Sequence, residues 1–166
     1  MAAGNTYDAI ATQTLSSTAA SVTFSSIPST YTDLILVCNP ITAVTTGQIA
    51  IRLNADTGTN YSRTILWGNG ATAGSYRNAN ENYAYTGYYT NLWTNPTTVI
   101  FQINNYSNAT TNKTILGRSS NANEASMASV NLWRSTSAIT AIELTISGAS
   151  SYSIGSTFSL YGIASA

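Results

Sequence analysis

At 166 residues the chain has the length of one domain, and folding at that size buries roughly 70% of the surface the unfolded form exposes, so no disulfide or metal staple is required. Only 7% of the residues are charged against 43% hydrophobic, and six basic and six acidic side chains sum to zero. That balance argues against a disordered chain, and because Arg52, Arg63, Arg77, Lys113, Arg118 and Arg134 stand singly, it argues against nucleic-acid binding, which draws its affinity from clustered cations.

The opening Met1-Ala2-Ala3-Gly4-Asn5-Thr6 is neither a basic nor an apolar leader. No apolar run approaches the ~18 residues of a membrane-spanning helix, so the chain is expected to stay soluble in the cytoplasm where it is made. Strand-like sequence begins near Thr6, and the Ser/Thr-rich residues 14–21 read as a turn or an edge strand. Residues 19–25 alternate, with Val22 and Phe24 sharing one side. Residues 34–38 (Leu-Ile-Leu-Val-Cys) are apolar throughout, which predicts a central strand covered on both faces. Cys38, the only cysteine, reads as a small buried hydrophobe. In residues 48–54, Ile49, Ile51 and Leu53 alternate with Ala50, Arg52 and Asn54, the pattern of a half-buried strand.

A turn follows at residues 54–58 (Asn-Ala-Asp-Thr-Gly), then a strand over 61–67 and a turn at Gly68-Asn69-Gly70. Residues 77–82 (Arg-Asn-Ala-Asn-Glu-Asn) read as a polar loop in which Glu81 pairs locally with Arg77. Further strands are expected over 97–106, 112–118, 128–134, 138–146 and 157–163, while residues 121–128 have room for one helical turn at most. Short strands with turn signals roughly every eight to twelve residues define an all-β protein and predict a β-sandwich or barrel, with a jelly roll fitting the size. Up-and-down and immunoglobulin-like strand orders stay open. No linker or internal repeat divides the chain, so residues 1–166 are expected to form a single β-sandwich domain.

Enzyme chemistry finds few tools here. There is no histidine, which removes the commonest general base, and one cysteine cannot build a zinc site. The carboxylates are Asp8, Asp33, Asp56, Glu81, Glu124 and Glu143. Glu81 with Glu143 is the only pair to weigh against the two-carboxylate geometry of glycosidases, and Glu143 reads as a solvated strand residue opposite Ile142, Leu144 and Ile146. The Asp56 turn has oxygen donors but lacks the acidic spacing of a calcium loop, so Asx hydrogen bonding is its expected role. No catalytic residue, metal site or cofactor is predicted.

One concentration stands out. Tyr76, Tyr83, Tyr85, Tyr88, Tyr89 and Trp93 crowd into a segment otherwise rich in Ala, Gly, Asn and Thr. Tyr83, Tyr85, Tyr88, Tyr89 and Trp93 do not hold one parity, so a single sheet face cannot bury them all. They are the candidate partner-binding residues, for a protein surface or a sugar ring; packing of Tyr83 and Tyr85 on a sheet is the plainer alternative.

Residues 10–15 (Ile-Ala-Thr-Gln-Thr-Leu) continuing through 22–28 (Val-Thr-Phe-Ser-Ser-Ile-Pro) to Asp33-Leu34, residues 53–61, and Leu132-Trp133-Arg134 through Ile139-Thr140 to 158–163 (Phe-Ser-Leu-Tyr-Gly-Ile) together resemble small virion proteins of tailed bacteriophages. The likeness includes proteins from phages of cyanobacteria and marine bacteria. It implies a compact sandwich, jelly-roll-like and often trimeric, and carries over no catalytic residue. Two roles follow from it. The preferred one is a capsid decoration (cement) protein, a homotrimer bridging subunits of the major capsid protein. The alternative is a tail-fibre or spike receptor-binding module contacting host glycan, set second because strand-like sequence starts near Thr6 with no shaft ahead of it. Either role places the chain on the virion surface after assembly in the host bacterial cytoplasm.

Because no metal site is predicted, a strong chelator is expected to leave the melting temperature unchanged. A shift of more than a few degrees in differential scanning fluorimetry would contradict that.

Overall fold

The computed structural model describes residues 6–42, 47–86, 97–121, 125–147 and 151–164, and among them there is no helix. Twelve strands run in chain order: β1 (Tyr7–Thr14), β2 (Ser21–Phe24), β3 (Asp33–Asn39), β4 (Ile49–Leu53), β5 (Tyr61–Gly68), β6 (Ala73–Glu81), β7 (Ala84–Tyr85), β8 (Thr98–Ile103), β9 (Lys113–Asn121), β10 (Ala125–Trp133), β11 (Ile142–Ile146) and β12 (Thr157–Ile163). They form an eight-stranded sheet, β1-β12-β3-β8-β9-β10-β5-β6, and a four-stranded sheet, β2-β11-β4-β7, with every pairing antiparallel. The protein is a β-sandwich.

The connectivity is nested. β1 pairs with β12, β2 with β11, β3 with β8 and β4 with β7, as in one long hairpin rolled so that successive pairs fall in alternate sheets. The remaining strands β9, β10, β5 and β6 extend the larger sheet beyond β8.

Period-two alternation decides what the sandwich encloses. Leu34, Leu36 and Cys38 of β3, Val99, Phe101 and Ile103 of β8, and Phe158 and Leu160 of β12 point inward. Val22 and Phe24, Ile49, Ile51 and Leu53, and Ile142, Leu144 and Ile146 of the smaller sheet belong to the same core. Cys38 is the buried free thiol expected, and burial pushes its pKa up. The double-sided cover expected for residues 34–38 is not found. Ile35 and Val37 stay half-buried on the outer face, where their opposed neighbours Tyr161 and Gln102, and Ser159 and Ile100, shield them edge-on.

Other boundaries move for identifiable reasons. β11 starts at Ile142, not 138, because Asn54 takes up the preceding residues. Its Oδ1 accepts the N–H groups of Thr140 and Ala141 at 2.8 and 3.1 Å, and its amide donates to the Ala138 carbonyl at 2.7 Å. Residues 125–128, assigned to a possible helical turn, are the start of β10, and residues 77–81, expected as loop, are the end of β6. Both Asn54 and Ala55 have positive φ, at 50° and 55°, which turns the chain sharply from β4 into β5.

Buried tyrosines join the layers. Tyr61 stacks on Trp133 with centroids 6.2 Å apart, and its hydroxyl accepts the Leu53 N–H at 2.9 Å. The Tyr106 hydroxyl donates to the Pro28 carbonyl and accepts the Tyr31 N–H. Tyr31 in turn lies against Gly162, where a Cβ would fall inside its ring. Gly162→Ala is therefore expected to cost about 1 to 3 kcal/mol by overpacking and to lower the thermal midpoint by several degrees, read by circular dichroism.

Candidate functional site

Of the residues expected to face a partner, Tyr83 and Tyr85 are described; Tyr88, Tyr89 and Trp93 lie outside the described residues. Tyr83 and Tyr85 meet edge to face at 5.8 Å and are both half-buried. Each is engaged by an arginine of its own chain. Arg52 lies 4.2 Å from the centroid of Tyr83, and Arg63 lies 4.2 Å from Tyr85 and 5.6 Å from Tyr76. Such contacts strengthen as water is excluded, from about 0.5 to about 2 kcal/mol.

The two arginines are anchored at their other sides. Arg52 pairs with Glu143 at 3.0 Å across β4 and β11, and Arg63 pairs with Glu81 at 3.4 Å and donates to Gln48 at 3.3 Å. Glu81 therefore reaches across to β5, not to Arg77 along its own strand, and also accepts the Asn78 amide at 2.8 Å. Glu143, expected to be solvated, is ion-paired. The two carboxylates weighed as a glycosidase pair are thus each committed to a different guanidinium. Burial, with the Glu81 charge nearby, raises the Tyr85 phenol above its ordinary range. The Tyr85 backbone is also tied down: its N–H donates to Asn131 Oδ1 at 3.0 Å and its carbonyl accepts from Ser129 Oγ at 3.2 Å. This cluster is a braced corner of the sandwich in which the tyrosines cover arginines.

A second surface was not legible in the sequence. On the outer face of the eight-stranded sheet, the register sets Gln102, Leu116, Val130, Thr64 and Arg77 in one cross-strand row, and Ile100, Arg118, Ala128, Leu66 and Ser75 in the next. Leu66 is 60% exposed, Val130 49% and Leu116 37%. Together with Thr64, Gln102, Arg118 and Ala128 they line a groove of about 390 Å³. A smaller depression of about 190 Å³ beside it, lined by Thr98, Ile100 and Ser120, shares Arg118.

The Asp56 loop is an Asx turn. Asp56 Oδ1 accepts the Gly58 N–H at 2.8 Å, and its carboxylate also accepts the Asn60 amide and, at 2.7 Å, the indole N–H of Trp133. Among the described residues no group of three or more His, Cys, Asp or Glu gathers as metal ligands would. No protein-family model matches the chain, and no curated protein matches it.

Partial burial pushes the Asp56 carboxyl up, but the bonds from Trp133, Asn60 and Gly58 and the charge of Arg52 outweigh it and hold the pKa below its usual value. A carboxylate favoured in the folded state stabilises it above the unfolded pKa, and that contribution is lost as pH falls through the folded pKa. Melting followed from about pH 5 to about pH 2 should show wild type losing more stability than Asp56→Asn over the acid end of that window. At neutral pH the variant should be less stable by about 1 to 3 kcal/mol, since an amide cannot accept all four bonds.

Proposed function

We propose that this chain is a virion structural protein of a tailed bacteriophage, a capsid decoration protein that bridges major capsid subunits on the particle surface. The observation that carries a contact role is the outer face of the larger sheet, with Leu66, Leu116 and Val130 open to solvent around one groove. Exposed apolar side chains gathered into one patch mark interaction sites. The nested pairing β1·β12, β2·β11, β3·β8 and β4·β7 supports a jelly-roll order, a frame common in capsid proteins. The resemblance of residues 10–34, 53–61 and 132–163 to small phage virion proteins supplies the setting.

Trimer formation belongs to the same reading. β1 and β6 end the larger sheet, and β6 presents only Arg77 as an outward charge, which is little protection for an edge. Closed symmetric association covers such edges. The second reading, a tail-fibre or spike module contacting host glycan, is favoured by the half-buried pair Tyr83 and Tyr85 beside Arg52.

Sedimentation of the purified chain at micromolar concentration is expected to show a homotrimer, and a monomer would contradict it. On purified particles, quantitative mass spectrometry should find on the order of hundreds of copies, as a capsid lattice requires. Copies in the low tens or fewer would move the protein to the tail and favour the glycan-contacting role.

A further inference from the structure

The charges of this nearly neutral chain are unevenly spent. Arg52 and Arg63 are paired with Glu143 and Glu81. Lys113 is fully buried and donates to the Thr111 and Thr136 carbonyls at 2.7 and 3.2 Å. Arg134 donates to the Thr59 and Tyr61 carbonyls at 2.9 and 3.3 Å. Only Arg77 and Arg118 make no ion pair and no hydrogen bond among the described residues, and both are exposed on the same surface, the outer face of the larger sheet.

That face is one-signed where the groove lies. Outward positions on β9 are Thr114, Leu116, Arg118 and Ser120; on β10 Ser126, Ala128, Val130 and Leu132; on β5 Ser62, Thr64, Leu66 and Gly68; on β6 Ala73, Ser75, Arg77 and Ala79. Two cations stand among hydroxyls and aliphatic side chains, without a carboxylate. The outward Asp33 is on β3, beyond β8, and already accepts the Asn105 N–H at 2.6 Å. A second copy docking the same face by two-fold symmetry would set like charges together, and among the described residues the carboxylates of Glu81, Glu143 and Asp56 are already engaged, which leaves Asp8 on the edge strand β1 as a single unpaired acid. The complementary occupant is an acidic one.

We infer that the groove between Leu66, Leu116 and Val130, flanked by Arg118 and Arg77, is the docking site for an extended acidic segment of a partner protein. One aliphatic or aromatic side chain fills the groove and carboxylates on either side meet the two guanidiniums. The spacing is set by the sheet. Arg118 on β9 and Arg77 on β6 are three strands apart and one row offset, about 15 Å between backbone positions, which an extended segment covers in about four to five residues. The partner motif is therefore an acidic residue, a short apolar stretch and a second acidic residue about four or five positions on. This partner chemistry rests on reading the chain as a contact protein. The purified chain tests it, whereas copy number on particles tests that reading, so the two can fail separately.

The probe is a random twelve-residue peptide library displayed on filamentous phage and panned on the purified chain, followed by synthesis of the enriched peptides. The expected result is enrichment of that motif, with affinity falling at least tenfold in Arg118→Glu and in Leu116→Ser with Val130→Ser, and falling with added salt. Peptides with lysine in place of the acidic residues should bind Arg118→Glu better than they bind wild type. Circular dichroism verifies that these exposed substitutions leave the fold intact, and Thr114→Ser is the control. The proposal is overturned by enriched peptides without acidic residues, by affinities unmoved by the groove variants, or by a change of oligomeric state in Arg118→Glu, which would make the occupant a second copy. Displacement of bound peptide by host polysaccharide would likewise assign the groove to sugar.

Discussion

A four-stranded sheet packed on an eight-stranded one imposes a mismatch in cover that shapes the core and the charge pairs of the described residues. Where β2, β11 and β4 lie over β12, β3 and β8, inward side chains are aliphatic or aromatic and the core is continuous. Among the described residues the smaller sheet ends at the two-residue β7, and around it several inward positions of β9, β10 and β5 are polar: Ser119, Asn121, Ser129, Asn131 and Arg63 are all buried. Most buried polar groups in folded proteins are hydrogen-bonded; Ser119 Oγ and Arg63 Nε are exceptions here. Asn131 is bonded through both ends of its amide, to Tyr85 and Ser129, and Asn121 reaches Thr97 at 3.3 Å.

The arginine clasps follow from the same mismatch. Arg63, on β5, is only 8% exposed, on the inward side where an aliphatic residue would sit nearer the core. A buried cation with one carboxylate partner contributes little net stability, but losing that partner is costly, so such pairs fix arrangement more than they add energy. Tyr85 and Tyr76 complete the enclosure with ring faces in place of water. Of the tyrosines that spacing marked as partner-facing, Tyr83 and Tyr85 are half-buried with their rings against Arg52 and Arg63.

The central strands were readable because each carries its own record of burial. In β4 and β12 the alternation of Ile49, Ile51, Leu53 and of Phe158, Leu160 needs no knowledge of the partner strand. β6 has no such record, since an edge strand has one neighbour and tolerates Asn, Ser and Arg throughout. Contacts made across the fold were invisible for a different reason. Asp56 and Trp133 are 77 residues apart, and Leu66 between Ile65 and Trp67, Leu116 after Ile115 and Val130 between Ser129 and Asn131 carry no shared mark in the sequence. Only the register of three strands, β9, β10 and β5, assembles those three into a patch, so the groove could not have been found from periodicity.

Nested pairing also fixes the order in which the chain can fold. The hairpins β5–β6, β8–β9 and β9–β10 join strands adjacent in sequence and can form as soon as they exist. β1 and β3 are instead held side by side only through β12, the last strand among the described residues, in registers that set Tyr7 opposite Ile163 and Asp33 opposite that same Ile163. Pairing across more than a hundred residues must overcome loop-closure entropy before any contact rewards it, and folds dominated by such pairings are slow. During synthesis β3 therefore presents an open edge until β12 has emerged. β12 locks the larger sheet on this side, and β1 has no partner in it until β12 arrives.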